Sequence, residues 1–403
     1  MQAITKALAF LHFLICTTTL IAVASAGSSN SRNLVLAIDG GTESIRAACV
    51  DVATGQMVGN VHACPYTTHH PHPGWAEQDP EEWWTALGTA VRELVAELGG
   101  EESSKIRAVS LDTTCCSVVA LDTDQQPVKP CILWMDQRAA VEAAEIVAQG
   151  KADPALAVNN DGQGPVSAEW MLAKALWMQR HWPDLWRNQI KSVCEYQDYL
   201  NLRLTGVLCA SACNAATRWH WDGNAALDAA ADDTEYPGRP LSLYKSLGIE
   251  ELAQRLPQSV LPMGAQLGTL TEDAVKALHL PLGLPIIKGS PDVFVGMIGL
   301  GCVQPGKQLC LITGSSHLHC VVASTGNTAK DIWGADPGAP LLGLYYADGG
   351  QSSTESNDRF GAYARIFGEL SSKLCVMEPG VASMLWKRQA ILVSRDIVLA
   401  GGV

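Results

Sequence analysis

Two short segments rich in glycine and hydroxyl side chains are suited to holding an anionic group. They are Asp39-Gly40-Gly41-Thr42-Glu43-Ser44 and Thr313-Gly314-Ser315-Ser316. In such turns successive backbone N–H groups can approach a phosphate unobstructed, and the hydroxyls add donors. Asp39 could hold Mg²⁺ partly through water, and Arg46 could neutralise charge nearby. Two such turns facing one another could hold a triphosphate, whereas each alone is equally typical of an ordinary hairpin.

A further candidate is the carboxylate of Asp292. It follows Pro291, which favours a helix start after a predicted strand from Leu284 to Lys288. Beside a phosphate-binding turn, Asp292 could accept the proton of an attacking hydroxyl. The structural alternative is that it only stabilises the helix dipole, by about 0.3–1 kcal/mol.

One glutamate and three tryptophans could contact a polyol. Glu77 lies too early to cap the helix predicted after it, so it is free to accept hydrogen bonds, although a solvated loop glutamate is the commoner case. Trp75, Trp219 and Trp221 could form an apolar platform against a sugar face. Tryptophans at such spacing are more often part of a hydrophobic core.

The elements that position these residues alternate between strands and helices. Apolar runs on both sides of each glycine-rich turn predict hairpins, which excludes a dinucleotide-binding Rossmann turn and a P-loop, because both need a helix directly after the glycines. The repetition of this hairpin some 270 residues later suggests two similarly built domains that face one another across a cleft. Together the segments predict an α/β protein. Two further strands are predicted over 106–111 and 117–121, together with a helix capped by Ser167 and a short helix over 270–280. Another helix is predicted to begin at Asp79, Pro80 and Glu82. Its apolar stripe consists of Trp84, Leu87, Ala90, Val91, Leu94 and Val95.

Composition excludes several classes of protein. The chain has 403 residues, of which 47% are hydrophobic and 17% charged, so it can bury a large core and is not disordered throughout. Its net charge of −13 repels phosphate backbones, which makes nucleic acid a poor partner. The 13 cysteines form no C-x-x-C pair, so a structural zinc site is not indicated.

Residues 1–30 form a predicted targeting leader. Met1 to Ala26 has one lysine, no acid and an apolar stretch, and Ala24-Ser25-Ala26 matches a signal-cleavage site. The alternatives are a plastid or other organelle transit peptide, a retained anchor, or a mis-annotated start, in which case the protein would be cytoplasmic. No later segment is apolar and long enough to span a bilayer, so no stable membrane association is expected once the leader is removed.

An ordered set of motifs between residues 34 and 354 resembles the FGGY carbohydrate kinases. Each motif is loose by itself, but the ordered set with family-like gaps is specific. The segment Tyr196 to Gly206, with Cys213-Asn214 and Trp219, is most similar to the ribulokinase branch. The motifs are Asp39-Gly40-Gly41-Thr42-x-Ser44-x-Arg46, Gly74-Trp75-x-Glu77-x-Asp79-Pro80, Asp112-Thr113-Thr114, Trp134-x-Asp136-x-Arg138-Ala139, Gly289-x-x-Asp292, Thr313-Gly314-Ser315-Ser316 and Gly349-Gly350-Gln351-Ser352-Ser353.

The resemblance implies a fold and a set of roles. The fold is the two-domain, actin-like ATPase (ribonuclease H-like) α/β fold, with a sugar-binding domain over 31–302 and a nucleotide domain over 303–403. Asp292 would be the catalytic base, and Asp39 would belong to the Mg²⁺ site. The expected phosphate-binding residues are Gly40, Gly41, Thr42, Ser44, Arg46, Thr313, Gly314 and Ser315, and the expected sugar-binding residues are Trp75, Glu77, Thr114, Asp136 and Lys174.

The likeness stops after Thr354, where family chains continue with the rest of the nucleotide domain, including the glycines that bind adenine. We therefore expect an incomplete second domain. The predicted function is ATP- and Mg²⁺-dependent phosphorylation of a ketopentose, with D-ribulose as the first candidate. The alternatives are a xylulokinase-type substrate, a sugar-binding remnant or truncated gene product without turnover, and an actin-like ATPase of the chaperone or filament kind.

Overall fold

A computed structural model describes residues 32–150, 153–156, 166–223, 226 and 235–300, together with five strands between residues 309 and 401. Strands and helices alternate along these segments, as the α/β prediction requires. The predicted leader lies outside the described residues, so it stays a prediction, as do the predicted domain boundaries. Among the described residues, no helix combines the length and the apolar character needed to cross a membrane.

The strands before residue 300 are β1 Leu34–Gly40, β2 Ser44–Asp51, β3 Met57–Pro65, β4 Glu77–Gln78, β5 Ile106–Thr113, β6 Val118–Leu121, β7 Cys131–Ile132, β8 Ser192–Glu195, β9 Cys209–Ser211, β10 Ser259–Leu261, β11 Gln266–Thr269 and β12 Pro285–Ile287. The helices are α1 Pro80–Ser103, α2 Ala140–Gly150, α3 Met171–His181, α4 Pro183–Asn188, α5 Tyr196–Thr205, α6 Ala212–Arg218, α7 Leu241–Leu247, α8 Leu252–Arg255, α9 Glu272–Leu278 and α10 Asp292–Gly299.

A six-stranded sheet in the order β11-β12-β5-β1-β2-β3 forms the first layer. The predicted hairpin around the first glycine-rich turn is present, because β1 pairs with β2 in antiparallel fashion and β2 follows the turn directly. β1 also pairs with β5 in parallel, and this register sets Asp39 opposite Asp112. The ends of β1 and β5 therefore bring two carboxylates to the same edge of the sheet.

Helix α1 packs its apolar face on this sheet. Asp79 caps it as predicted, with its Oδ1 accepting from the amide of Glu81 at 2.9 Å. The carboxylate of Glu82, in the first turn, accepts from the amide of Thr67 at 3.0 Å. The buried stripe begins at Trp83 instead of Trp84, which is only partly buried; Leu87, Ala90, Val91 and Leu94 are buried as predicted.

A second layer surrounds the small sheet β4-β7-β6-β8. Its core consists mainly of side chains from β6 and from the helices α2, α3 and α7. Trp219 and Trp221 are 4% and 8% exposed, which supports the core interpretation of these two tryptophans over a contact with a sugar. Ser167 does not cap α3, since Trp170 precedes the first helical residue and the Ser167 hydroxyl accepts from the amide of Glu169.

The C-terminal strands repeat the arrangement of the first sheet. They are β13 Leu309–Thr313, β14 His317–Val322, β15 Trp333–Gly334, β16 Leu344–Asp348 and β17 Ile397–Gly401, in the order β15-β16-β14-β13-β17. As β1 does with β2 and β5, β13 pairs antiparallel with β14 and parallel with β17. The predicted second hairpin is thereby confirmed, whereas Gly314 and Ser315 in its turn lie outside the described residues.

Candidate active site

Three carboxylates meet where β1, β5 and α10 come together. Asp39 and Asp112 are neighbours across the parallel pair of β1 and β5. A bridge between Thr113 and Pro291 places the start of α10 next to the end of β5. The fold therefore brings the predicted base, Asp292, to the same edge as the predicted metal-binding residue, Asp39.

The segment before α10 depends on a glycine. A Cβ atom on Gly289 would lie 1.9 Å from the carbonyl oxygen of Leu111, so only glycine lets this segment cross the end of β5. Two buried side chains hold the crossing in place: Gln197 donates to the carbonyl of Ser290 at 2.9 Å, and Ser211 donates to that of Gly289 at 3.3 Å. These contacts fix the position from which Asp292 projects.

The surrounding protein and the neighbouring charges change the pKa values of these carboxylates from those of exposed carboxylates. Desolvation by the surrounding protein, followed by the charge of Asp39, raises the pKa of Asp292 to about 7. Water still reaches the side chain of Asp292, which moderates the effect of burial. Burial and the charges of Asp39 and Asp292 raise the pKa of Asp112 well above its ordinary value. Arg46 offsets part of this charge through an ion pair with Asp39 of 2.6 Å.

This arrangement fits a magnesium ion that keeps most of its water. Oδ1 of Asp112 is buried and has no hydrogen-bond partner among the described residues. A cation would satisfy this oxygen and relieve the repulsion between Asp112 and Asp39. Within the same part of the chain, no three metal-ligating side chains converge closely enough to hold an ion by themselves. Asp39 and Asp112 are therefore the residues that would hold Mg²⁺, with water completing its coordination.

The first glycine-rich turn is packed tightly against aromatic residues. A Cβ atom on Gly40 would lie 2.9 Å from the hydroxyl of Tyr196, and the carbonyl of Gly41 accepts a hydrogen bond from Tyr66. Thr42 Oγ1 accepts from the indole of Trp134 at 3.1 Å, which leaves the hydroxyl hydrogen free to donate. The turn closes through the Gly41 amide, which donates to the carbonyl of Ser44 at 3.1 Å. The predicted phosphate-binding residues of this turn are thus gathered around Asp39.

The predicted sugar-binding residues Glu77 and Asp136 meet at Arg138. Asp136 is completely buried and accepts from the amide of Ala76 at 2.6 Å and from three N–H groups of Arg138 at 2.8–2.9 Å. Arg138 also forms an ion pair of 2.8 Å with Glu77, which is 17% exposed. Trp75, half-buried, stacks on Arg138, with 3.7 Å from Cζ to the ring centroid. Asp136 therefore positions Arg138, and Glu77 is the more accessible of the two carboxylates.

Lys174 is not the solvated helix lysine that its place in the sequence suggests. It is completely buried, and its ammonium group donates to the carbonyls of Cys116 at 2.6 Å and of Leu133 at 2.5 Å. It thereby ties the loop after β5, which contains the half-buried Thr114, to the loop that contains Asp136. The predicted direct sugar contacts of Asp136 and Lys174 stay predictions, since the bonds seen here are to the protein itself.

Glu195 is a central residue that the sequence analysis missed. Its carboxylate accepts from the amide of Cys116 at 2.9 Å, from Asn214 at 2.8 Å and from the indole of Trp219 at 3.0 Å. Burial, followed by the charge of Asp198, raises its pKa to about 7. The only signal in the sequence is an acid at the end of an apolar strand directly before a helix. Such an acid is usually a helix cap, and Glu195 also accepts from the helix backbone.

Comparison with known proteins identifies the family. A model described as the N-terminal domain of the FGGY family of carbohydrate kinases matches residues 34–299. The chain belongs to this family. The motif-based resemblance is thereby confirmed, and the carboxylate edge and the Arg138 site both lie within the matched FGGY domain. Thr313 ends β13, while the roles of Thr313, Gly314 and Ser315 stay predictions.

Relatives named ribulokinase and xylulose kinase are similar to the chain to about the same degree. The ribulokinase of Geobacillus thermodenitrificans is 25% identical over 346 residues, covering 80% of this chain and 58% of the relative. The xylulose kinase of Klebsiella pneumoniae is 28% identical over 292 residues, covering 72% and 54%. The chain thus spans a little over half the length of these curated relatives.

A solved structure shares the fold. The ligand-bound xylulose kinase of Lactobacillus acidophilus superposes with a TM-score of 0.64 at 18% identity, covering 78% of this chain and 59% of the other. This likeness concerns the fold alone and confirms the predicted actin-like ATPase architecture of the FGGY kinases. The repeated strand order around β1 and β13 is consistent with the two-domain form of that architecture.

Proposed function

We propose that the protein is an ATP-dependent carbohydrate kinase that phosphorylates a hydroxyl group of a ketopentose. The observation that carries this proposal is the exposed Asp292 at the start of α10, at the same sheet edge as the Asp39–Asp112 pair. A base with a pKa near the working pH is effective in proton transfer. Membership of the FGGY family supports a sugar as the acceptor.

The residues of the chain can perform the proton transfer and the positioning. Oδ1 of Asp292 accepts from the amide of Val293 at 2.7 Å, which leaves Oδ2 to take the proton of the sugar hydroxyl. Arg46 and the Thr42 hydroxyl lie at the turn where negative charge would arrive. Mg²⁺-ATP, when bound, supplies the phosphoryl group and a cation that offsets charge on the phosphates. The rest of the catalysis is positioning by Asp39, Asp112 and the glycine turn.

D-ribulose is the first candidate substrate. The segment from Tyr196 to Gly206 and the pair Cys213-Asn214 support it through their resemblance to the ribulokinase branch. A relative named xylulose kinase is as similar to the chain as a relative named ribulokinase, so D-xylulose is the competing substrate. The two sugars differ only in the configuration of one hydroxyl, and a single hydrogen bond can distinguish them.

The test is release of ADP from Mg²⁺-ATP by the full chain without sugar, with D-ribulose and with D-xylulose. We expect sugar-dependent release, and a loss of about 10²–10⁴-fold in turnover in Asp292→Asn. Asp184→Asn is the matched control, because Asp184 is 87% exposed on α4. The ratio of kcat/KM values for the two sugars assigns the substrate.

Two outcomes would contradict the proposal. Folded protein that releases no ADP with either sugar would support a binding-only protein. Hydrolysis of ATP at a rate that sugars do not change would support the actin-like ATPase alternative. Omission of Mg²⁺ from the same assay tests the requirement for the metal.

A further inference from the structure

Three successive carbonyl groups of the first glycine-rich turn are bound by donors of the protein. The hydroxyl of Tyr66 donates to the carbonyl of Gly41, and the amide of Tyr66 donates to that of Glu43 at 3.2 Å. The carbonyl of Thr42, between them, accepts from Nε2 of Gln78 at 2.7 Å. Carbonyl oxygens carry partial negative charge, so a turn that binds phosphate through its amides must keep these oxygens away from the ligand.

The bond from Gln78 sets the direction of one amide of the turn. In a trans peptide the N–H points opposite to the carbonyl, so the N–H of Glu43 points away from Gln78 when the carbonyl of Thr42 points towards it. Gln78 is buried, whereas Glu43 is exposed. The amide of Glu43 is therefore directed to the open side of the turn, where it can donate to an anion.

Gln78 is itself held so that its amide group has a single orientation. The residue is 1% exposed, and its Oε1 accepts from the indole of Trp83 at 2.8 Å. An indole N–H can only donate, so Oε1 must face Trp83 and Nε2 must face the turn. The second N–H of Nε2 donates to Oγ1 of Thr68 at 2.8 Å. Both N–H groups and the oxygen of this buried side chain are thus used, which makes it a fixed support.

The place of Gln78 in the fold connects the turn to the second layer. Gln78 belongs to β4, directly after Glu77, and β4 pairs with β7. The loop after β7 reaches the same residue of the turn, because the indole of Trp134 donates to Oγ1 of Thr42 at 3.1 Å. Two donors of the second layer therefore hold Thr42, one at its carbonyl and one at its hydroxyl.

We propose that Gln78 is a positioning residue for phosphoryl transfer, which holds the peptide between Thr42 and Glu43 with its carbonyl towards the protein and its N–H towards a phosphate of ATP. In this role Gln78 touches neither substrate and acts through the turn. The inference rests on the proposed function and adds the backbone amide of Glu43 to the groups that would bind phosphate. It also makes one strand, β4, carry both Glu77 and the support of the phosphate turn.

The test measures binding of the non-hydrolysable β,γ-imido analogue of ATP, with Mg²⁺, to the full chain by calorimetry, alongside the ADP-release assay. Gln78→Met keeps the length of the side chain and removes its amide group. We expect the Kd of the analogue to rise about tenfold, because the carbonyl of Thr42 loses its partner and can turn towards the phosphates. In the assay kcat/KM for ATP should fall similarly, whereas KM for the sugar should change little.

Two further variants separate the bond to the turn from general packing. Thr68→Val removes the other acceptor of the same Nε2 atom but leaves the bond to Thr42, so its Kd should stay within about twofold of the wild-type value. Gln78→Glu keeps an acceptor for Trp83, and the hydroxyl of Thr68 can rotate to donate to it. It should raise the Kd at least as much as Gln78→Met, because an oxygen then faces the carbonyl of Thr42. Thermal unfolding of each variant separates loss of fold from loss of binding.

Each outcome decides one of the two proposals. An unchanged Kd in the folded Gln78 variants, or an equal rise in Thr68→Val, would overturn the positioning role. Failure of both Gln78 variants to fold would overturn it too, since Gln78 would then support the whole domain, and so would absence of nucleotide binding to the wild type. Nucleotide binding that weakens as expected, without sugar-dependent ADP release by the wild type, would support the positioning role and overturn the kinase activity.

Discussion

The carboxylates at the edge of the first sheet differ from those around Arg138 in how far the protein neutralises them. Asp39, Asp112 and Asp292 repel one another, and one oxygen of Asp112 has no partner among the described residues. Asp136 lies in the other region, where four hydrogen bonds satisfy it and Arg138 pairs with it. The same type of side chain is therefore left unsatisfied in one region and saturated in the other.

This difference distinguishes carboxylates that could take part in the reaction from carboxylates that hold other residues in position. A protein keeps carboxylates close together and poorly compensated at a cost in stability, which is typical of sites that bind a cation or move a proton. A buried charge that protein donors satisfy, in contrast, mainly fixes the positions of its neighbours. An Asp-to-Asn substitution should therefore mainly change turnover at the sheet edge and mainly change the free energy of unfolding around Arg138.

Among the substitutions that compare the two regions, the largest effect is expected for Asp39→Asn. This change removes one carboxylate of the proposed Mg²⁺ site, so turnover in the ADP-release assay should fall by about a hundredfold or more. The free energy of unfolding should change little, because the lost ion pair with Arg46 is partly exposed and the repulsion by Asp112 falls. A variant with normal turnover, or one that unfolds much more easily than the wild type, would contradict the assignment.

Asp136→Asn should show the opposite pattern. It leaves the buried guanidinium of Arg138 with only Glu77 as an ionic partner, so the free energy of unfolding should fall by about 3 kcal/mol. Urea unfolding followed by circular dichroism measures the effect, with the exposed Asp184→Asn as the control. An Asp136→Asn variant as stable as the control would show that the bonds from Asp136 to Arg138 contribute little to stability.

Much of the edge region could be predicted from the sequence because its signals are local. A glycine turn between two apolar runs predicts a hairpin, and Pro291-Asp292 after a strand predicts a helix start. Both are present in the structure. The topology then brings the two segments together, since parallel strands β1 and β5 end at the same edge.

The region around Arg138 could not be predicted in the same way, because its contacts depend on packing. Nothing near Lys174 in the sequence shows that its ammonium group reaches the carbonyls of Cys116 and Leu133. Glu195 reads locally as a helix cap, whereas its main partners lie on two other elements. For Trp219 and Trp221 the sequence favours the core without excluding a contact with a sugar, and their burial in the fold supports the core.

His220 is intermediate between the two regions. Its side chain is buried, and only one of its two ring nitrogens has a hydrogen-bond partner among the described residues. Its Nδ1 bonds to the carbonyl of Ala155 at 3.0 Å, while Nε2 has no partner among the described residues. Burial and, to a smaller extent, the charge of Arg218 lower its pKa from 6.5 to about 4, against the opposing effects of the bond to Ala155 and the charge of Asp153. Between these values the unfolded chain binds a proton that the folded chain does not, so stability falls as the pH falls.

Comparison of His220→Asn with the wild type isolates the contribution of His220 to the pH dependence of stability. Asparagine tolerates the positive φ of 55° at this position. The variant should lose about 2 kcal/mol less than the wild type between pH 7 and pH 5 in urea unfolding. The raised pKa of Glu195 acts in the opposite direction, with stability lost as the pH rises from 4.5 to about 7, but it is common to both proteins. Parallel pH profiles would show that folding does not lower the pKa of His220.

The smallest effect tests the packing behind the phosphate turn. In Gly40→Ala the new Cβ would lie 2.9 Å from the hydroxyl of Tyr196 and 3.0 Å from Cγ2 of Thr113, so we expect a loss of about 1 kcal/mol in stability. Tyr196→Phe removes this hydroxyl but keeps the ring carbon Cζ, which is 3.0 Å from the new Cβ, so in the Gly40→Ala background it should recover only part of the loss. Gly100→Ala, where the new Cβ meets nothing within 4 Å, should instead be neutral or stabilising. If Tyr196→Phe gives no recovery, the hydroxyl of Tyr196 does not limit the space at this turn. The requirement for glycine would then lie with the ring of Tyr196 and with Thr113 at the end of β5, both of which keep an atom 3.0 Å from the new Cβ.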